Sequence, residues 1–490
     1  MKITLSLFFM LLLFFFNACS TSSSYKPQSP GRQLQQITPS NLSSSINNVL
    51  HDTLLTSCIF GVKIISDNDG AVLYEMNSEK LFHPASNMKL LTSATALEML
   101  PPEFLFTTSI CYDGILNDSI LSGNVFIKGV GDPLMTTEHL DSVVGQLLKK
   151  GIKLITGDIV GDVSYFDTLA WGMGWMWDDE PSTDAPFLTP LTINSNSIEV
   201  NIIPGKNIGE GPEVEIIPKT TYVNINNNAI TSVDTMLPPL DVTRIRGKNT
   251  IVISGRIAPN SSMQDFGVSI YKPELYFLHL FRERLAEYGI SVSGILRLDT
   301  VRSSAELVTI IHPLDSVLHQ INKPSDNLAA ENLLKTLSHE QYHAMGSATN
   351  GLSVIKQYLF SIGIDTTKMI LADGSGLSWY NAVSPNTIVQ LLYEQYKRKS
   401  TFKRFYESLP VAGVDGTLKN RMKGTLAEGN VHAKTGSLTG VSSLSGYVNS
   451  VDGEMIIFSI LSNHFPSELV HLRNAQNNIM ELLANYRHHK

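Results

Sequence analysis

The strand-forming runs of this chain sit at its two ends and the helix-forming runs lie between them, a division that restricts the possible folds more than any other feature. Near the start, 58–65 and 71–74 are β-rich. Ser66-Asp67-Asn68-Asp69-Gly70 joins them and closes on the Asp-Gly pair of a hairpin turn. Near the end, 431–434, 443–449 and 454–461 read as strands separated by glycine turns, and 469–486 as a closing helix. Helical patterns cover 327–343, 353–362 and 385–398. Such an arrangement predicts an α+β fold: one antiparallel sheet assembled from both ends of the chain, with helices on its two faces.

From about Phe104 the texture changes to short strands and turns. Strands are expected over 106–111 and 120–129 and a helix over 137–150. Trp171, Trp175 and Trp177 then cluster beside Asp178-Asp179-Glu180. The stretch 205–267 is β-rich, 271–289 is an amphipathic helix, and 301–312 reads as a strand and turn. This is a β-rich insertion forming one or two extra domains. The expected division is 46–103 with 303–490 as the main domain, 104–204 with 271–302 as a second, and 205–270 as a third. A chain of 490 residues has room for all three.

The N-terminus is a targeting segment. Met1-Lys2 is a basic start, 5–16 is apolar but short for a membrane span, and Asn17-Ala18-Cys19-Ser20 follows. Small residues ending in cysteine resemble the bacterial lipoprotein cleavage box, so 1–19 reads as a signal peptide with lipid attachment at Cys19. Residues 20–45, rich in Ser, Pro and Gln, read as a flexible tether. Cys58 and Cys111 remain, either as a disulfide of an exported protein or as two buried thiols. A formal charge of −8 and the lack of a basic tract exclude a nucleic-acid partner.

Chemistry begins at His83-Pro84-Ala85-Ser86-Asn87-Met88-Lys89, a turn that feeds the apolar run 90–100. Ser86 and Lys89, at i and i+3, share one helix face. A buried lysine is pushed toward its neutral form and can take a serine proton. One Ser-x-x-Lys is weak, since chance supplies it in a chain this long. Two further segments strengthen it. Ser325-Asp326-Asn327 stands between Pro324 and a helix, where Ser325 is expected to cap. Lys434-Thr435-Gly436-Ser437 lies in a β-run, where Gly436 lets a ligand approach the strand. The three together are the set of penicillin-binding proteins and β-lactamases.

On these residues the chain resembles the class C low-molecular-mass penicillin-binding proteins, the D-alanyl-D-alanine carboxypeptidase and D,D-endopeptidase family of penicillin-binding protein 4 type. The resemblance extends through Gly129-Val130-Gly131-Asp132-Pro133, Ala330-Glu331-Asn332-Leu333-Leu334, Asp373-Gly374-Ser375-Gly376-Leu377-Ser378 and Val411-Ala412-Gly413-Val414-Asp415-Gly416-Thr417-Leu418. It departs at Trp379-Tyr380, where relatives carry a basic and a polar residue. It implies a serine transpeptidase/β-lactamase-like domain with a large insertion. Ser86 is then the nucleophile, Lys89 the acylation base, Ser325 the proton relay beside Lys434, and Asn327 a partner of Lys89 or of the substrate amide. The N–H groups of Ser86 and Ser437 would form the oxyanion hole. Lys434, Thr435, Gly436 and Ser437 would hold the terminal carboxylate. Trp175 and Asp178 are the candidates for the side-chain pocket that the insertion contributes. Expected partners are peptidoglycan stem peptides and cross-linked muropeptides, with β-lactams as inhibitors and the membrane met through the lipid anchor. No cofactor or metal is implied.

Two other readings compete. His339-Glu340-Gln341-Tyr342-His343 is a literal HExxH on a helix, the pattern of a zinc peptidase. Thr349 stands where the longer zinc pattern wants a third ligand, which weighs against it. A non-catalytic peptidoglycan-binding module would not need intact nucleophile, base and anion-binding residues. A class A β-lactamase is disfavoured because no Glu-x-x-Leu-Asn segment follows Ser325-Asp326-Asn327 at the required separation.

Overall fold

The structure, a computed structural model, describes residues 36–301, 304–466 and 469–488. The expected signal peptide, the expected lipid-attachment site at Cys19 and most of the expected tether lie outside the described residues.

Both ends of the chain build one five-stranded antiparallel sheet. Its order is Val72–Met76, Ile59–Ser66, Met455–Asn463, Val441–Asn449, His432–Leu438. The middle strand belongs to the C-terminal part and pairs with an N-terminal strand along eight positions, Ile59 opposite Asn463 through Ser66 opposite Ile456. That strand is apolar almost throughout because both of its faces are covered. Ile457 and Leu461 enter one core, while Ile456, Phe458 and Ile460 enter the other, the two-residue alternation of a pleated strand.

On one face lie the helices Met88–Met99, Leu314–Asn322, Asn327–Tyr342, Ala348–Ser361 and Pro385–Lys397. Met88 to Leu97 are all buried, so this helix is apolar on nearly every side and shows no amphipathic stripe. On the other face lie Leu42–Leu50 and Leu469–Ala484. The first of these corrects the expected tether. Leu42, Ile46 and Leu50 recur at helical spacing and are buried against the sheet, so order begins inside 20–45. Leu314–Asn322 and the mostly polar helix Lys399–Ser408 are two further elements that the patterning did not single out.

The insertion carries its own core. A five-stranded sheet runs Leu296–Leu298, Ile159–Asp162, Val125–Gly129, Leu105–Tyr112, Ala305–Pro313. The helices Thr137–Lys149 and Pro273–Glu287 pack on it. The expected limits shift in two places. Ala305–Pro313 pairs with Leu105–Tyr112 and so lies in the insertion's sheet, not in the 303–490 segment. Ser197–Ile203 pairs with Glu213–Ile217 and Gln264–Ser269, so a division at 204/205 would cut through a sheet.

The insertion is bolted to the Asn327–Tyr342 helix. Asn332 Nδ2 donates to the Gly131 carbonyl at 3.1 Å and to Thr192 Oγ1 at 3.0 Å. Lys335 Nζ, almost fully buried, donates to Asp167 Oδ1 and the Leu169 carbonyl, each at 2.6 Å. Cys58 and Cys111 are both free, half-buried thiols, and burial pushes Cys58 up to about 12.

Candidate active site

Pro84 leads into a single tight turn, Ala85–Asn87, which runs directly into Met88–Met99. Ala85 takes φ 47°, a left-handed conformation unusual for a residue with a Cβ. The turn survives because its surroundings fix it. Ser443 Oγ donates to the Pro84 carbonyl at 2.8 Å, and Asn87 Nδ2 donates to the Lys434 carbonyl at 3.0 Å. Two glycines allow the close approach. A Cβ on Gly436 would sit 2.8 Å from the Ser86 nitrogen, and one on Gly376 would sit 1.9 Å from the Ala85 carbonyl oxygen. The Lys434-Thr435-Gly436 strand therefore lies against the nucleophile turn only because it carries glycine there.

Lys89 is fully buried and has three polar neighbours. Its Nζ lies 3.0 Å from Ser86 Oγ, 2.5 Å from Asn327 Oδ1 and 2.8 Å from the Ser375 carbonyl oxygen. Burial pulls the amine down to about 8, although the carboxylates of Asp373, Glu331, Asp326 and Asp184 work to raise it. Lys434 is buried as deeply. Its Nζ donates to Ser325 Oγ at 2.8 Å and to the Thr435 carbonyl at 2.9 Å. Burial first, and the charge of Lys89 second, push it well below the ordinary amine range. The three sequence segments thus meet at the Ser86 turn, with Lys89 on Ser86 and Asn327 and the Lys434–Ser437 strand packed against the turn at Gly436.

Ser325 does not cap the following helix as expected. Asp326 does, its side chain accepting from the Ala329 N–H at 2.9 Å. Ser325 instead takes φ 73°, which turns its hydroxyl out of the helix and toward Lys434. Asn327 bonds Lys89 through its oxygen, while its Nδ2 donates to the Asp184 carbonyl at 2.8 Å. Asp184 is therefore the insertion's contribution to the cleft, in a loop where the sequence offered no signal.

The cleft has a volume of about 580 Å³. Ser86, Asp184, Ser325 and Asn327 border it, as do Thr435, Gly436 and Ser437. Thr435 Oγ1 donates to Thr417 Oγ1 at 2.7 Å, which brings the Asp415-Gly416-Thr417 motif to the same wall. The pocket candidates fall elsewhere. Trp175 is buried in a small apolar cluster with Ala185, Leu188, Leu328 and Leu377, and its Nε1 donates to Asp373 Oδ2 at 3.0 Å. Asp178 is exposed and does not border the cleft.

A buried acid pair lies behind Lys89. Glu331 accepts from the N–H groups of Gly374 at 2.9 Å and Ser375 at 2.7 Å. Burial and the neighbouring charge of Asp373 push Glu331 up to about 8. Asp373 accepts from the Gly376 and Ser378 N–H groups and from Asn381 Nδ2. Together these carboxylates hold the 373–378 turn, and that turn aims the Ser375 carbonyl at Lys89. Both acids sit within motifs quoted above, yet nothing in their spacing disclosed this role. Trp379 and Tyr380 are largely exposed, with Trp379 packed at 5.2 Å on His83.

The HExxH residues do not converge. His339 packs on Tyr165 with ring centroids 3.8 Å apart, Glu340 accepts from the same tyrosine's hydroxyl at 2.7 Å, and His343 ends the helix with φ 50°. Among the described residues no group of three His, Cys, Asp or Glu side chains is placed to hold a metal ion.

The chain is similar to known D-alanyl-D-alanine carboxypeptidases. A D-alanyl-D-alanine carboxypeptidase of Actinomadura sp. (strain R39) is 32% identical over 438 residues, which cover 86% of this chain and 81% of that protein. The D-alanyl-D-alanine carboxypeptidase DacB of Haemophilus influenzae is 29% identical, with 80% of this chain and 82% of that protein covered. The crystal structure of penicillin binding protein 4 from Haemophilus influenzae superimposes with a TM-score of 0.81 at 27% identity, covering 90% of this chain and 99% of that one. The model of the D-Ala-D-Ala carboxypeptidase 3 (S13) family matches residues 42–486, and the chain belongs to that family.

Proposed function

We propose the following division of labour for this chain, a serine D-Ala-D-Ala peptidase of penicillin-binding protein 4 type. Ser86 Oγ attacks the carbonyl between two D-alanines, or the D-alanyl carbonyl of a peptide cross-link. Lys89 takes the hydroxyl proton. The observation that carries this reading is the 3.0 Å approach of an amine held near 8 to the Ser86 hydroxyl. General-base transfer of this kind contributes roughly 10²–10⁴ in rate. The tetrahedral oxyanion is met by the N–H groups of Ser86 and Ser437, each worth on the order of 3 kcal/mol of barrier.

Ser325 then passes a proton to the departing amine, with Lys434 behind it. A pair of amines that share a buried site cannot both hold a full charge cheaply, which keeps a proton available to move. Asn327 orients Lys89, and Thr435, Gly436 and Ser437 bind the substrate carboxylate. Water entering the cleft releases the acyl group. A β-lactam presents a strained amide and a carboxylate to the same groups and acylates Ser86. The natural substrates are stem peptides and cross-linked muropeptides of peptidoglycan.

We place the protein in the bacterial cell envelope, exported by the 1–19 segment and lipid-anchored at Cys19. The basic, apolar and small-residue succession of that segment supports the placement. Incorporation of labelled palmitate, lost in Cys19→Ala, checks the anchor. Labelled penicillin checks the chemistry. Wild-type protein should form a covalent adduct on Ser86 and release D-alanine from a pentapeptide, and Ser86→Ala should do neither. An adduct retained in Ser86→Ala would overturn the assignment.

A further inference from the structure

His83 opens the turn that carries the nucleophile, and each hydrogen bond of its imidazole can run in one direction only. The Ala85 N–H lies 3.1 Å from Nδ1, so Nδ1 accepts. The Ser378 carbonyl lies 2.8 Å from Nε2 and cannot donate, so Nε2 carries the hydrogen. The two contacts together select one tautomer of the neutral ring.

The main chain of His83 is held as well. Asn463, the last residue of the middle strand, accepts from its N–H at 2.9 Å and donates to its carbonyl at 3.2 Å. Trp379 packs on the ring with centroids 5.2 Å apart, and His83 is half-buried beneath it. The imidazole thereby ties two turns to each other. On one side is Ala85, the residue with φ 47° that immediately precedes Ser86. On the other is Ser378, at the end of the turn whose Ser375 carbonyl oxygen lies 2.8 Å from Lys89 Nζ.

A second proton on the ring has only Nδ1 to go to. There it would set one N–H against another and leave the Ala85 N–H without its acceptor. The charged group that bears on the ring is Asp373, whose carboxylate favours the imidazolium, while Asn463 and Trp379 carry no charge. Burial outweighs Asp373 and holds His83 below the ordinary histidine range, so the ring stays neutral at the pH where Lys89 works as a base.

We propose that His83 is a positioning residue that clasps the nucleophile turn to the turn behind Lys89, and that protonation of Nδ1 opens the clasp and misplaces Ser86. This rests on the reading of Ser86 as the nucleophile of a D,D-peptidase. It gives the enzyme a second, acid-side loss of activity that is separate from protonation of the base.

The test follows acylation by a chromogenic β-lactam across pH at constant ionic strength, with folding monitored by circular dichroism at each pH. Below about 8 the rate falls in proportion to proton concentration as Lys89 takes its proton. In the wild type this fall should steepen to the square of proton concentration at acid pH. His83→Asn keeps an acceptor for the N–H two residues on, as asparagine does in turns, but cannot titrate. It should acylate within a few-fold of the wild type near neutrality and show no steepening. His83→Phe keeps a ring against Trp379 and loses both hydrogen bonds. It should be slower by roughly ten- to a hundredfold, the scale of a small misplacement of reacting groups. A folded wild type whose profile never steepens would overturn the clasp, whatever the variants do. So would steepening retained in His83→Asn, or the wild-type rate in folded His83→Phe. Failure of penicillin to label Ser86 in the wild type would defeat the peptidase reading instead, so the two failures are distinguishable.

Discussion

The two walls of the cleft each carry a fully buried lysine, yet they hold it differently. On the helical wall Lys89 is ringed by a hydroxyl, an amide oxygen and a backbone carbonyl, with four carboxylates near enough to favour its charge. On the strand wall Lys434 has Ser325 and its own strand's Thr435 carbonyl, and no carboxylate offsets its burial. Burial alone does not make a base of a lysine, because it lowers both amines. The carboxylates behind Lys89 set it apart: they hold it near 8, close to the working pH, while Lys434 falls well below its ordinary range.

Removing each amine should break the comparison most severely. Lys89→Ala should slow penicillin acylation by about 10³-fold, at the level general-base catalysis supplies. Stopped-flow kinetics of a chromogenic β-lactam measures it. Lys434→Ala should slow release of D-alanine from a peptide, which is the acylation step there, more than it slows acylation by a strained β-lactam, because it acts on the leaving amine through Ser325.

The pH dependence sharpens the contrast. Lys89 must be unprotonated to accept the serine proton, so the acylation rate should rise with pH and level off above about 8. The Asp373 charge raises Lys89, so Asp373→Asn should move that inflection to lower pH. An inflection that stays in place would show that the carboxylate does not set the base. The profile is read from acylation rates across pH at constant ionic strength.

Smaller effects are expected where the insertion is bolted on. Lys335→Met leaves the Asp167 carboxylate without its partner and should cost about 3 kcal/mol of stability, read from denaturant unfolding. Trp175→Phe keeps the ring's packing but withdraws one donor from Asp373, for a loss of about 1–2 kcal/mol. The same substitution should change acylation far less than Lys89→Ala does.

Much of this was legible in the sequence because chemistry here depends on short local patterns. Ser86 and Lys89 meet through helical spacing alone, and the strands at the two ends could be matched by their apolar runs. What escaped depends on contacts between distant segments. The role of Glu331 and Asp373 appears only once the 373–378 turn is seen folded over Lys89. Asp184 lies in an irregular loop with no periodicity to read. Trp175 was placed near the site for its aromatic ring, but the indole N–H gives it a structural tie to Asp373 instead. Ser325 was assigned the cap that its neighbour Asp326 makes, since either residue type can cap and one residue of register decides between them.

The middle strand of the main sheet, Met455–Asn463, has a consequence for the order in which the protein matures. A ribosome that has completed residue 430 has already made the nucleophile and its base, but none of the three strands that close the sheet. The N-terminal hairpin must wait for partners made last, and contacts so far apart along the polymer form slowly. Hydrolytic competence therefore arrives at the very end of synthesis, so an unfinished or truncated copy carries its reactive serine without the second half of the machinery.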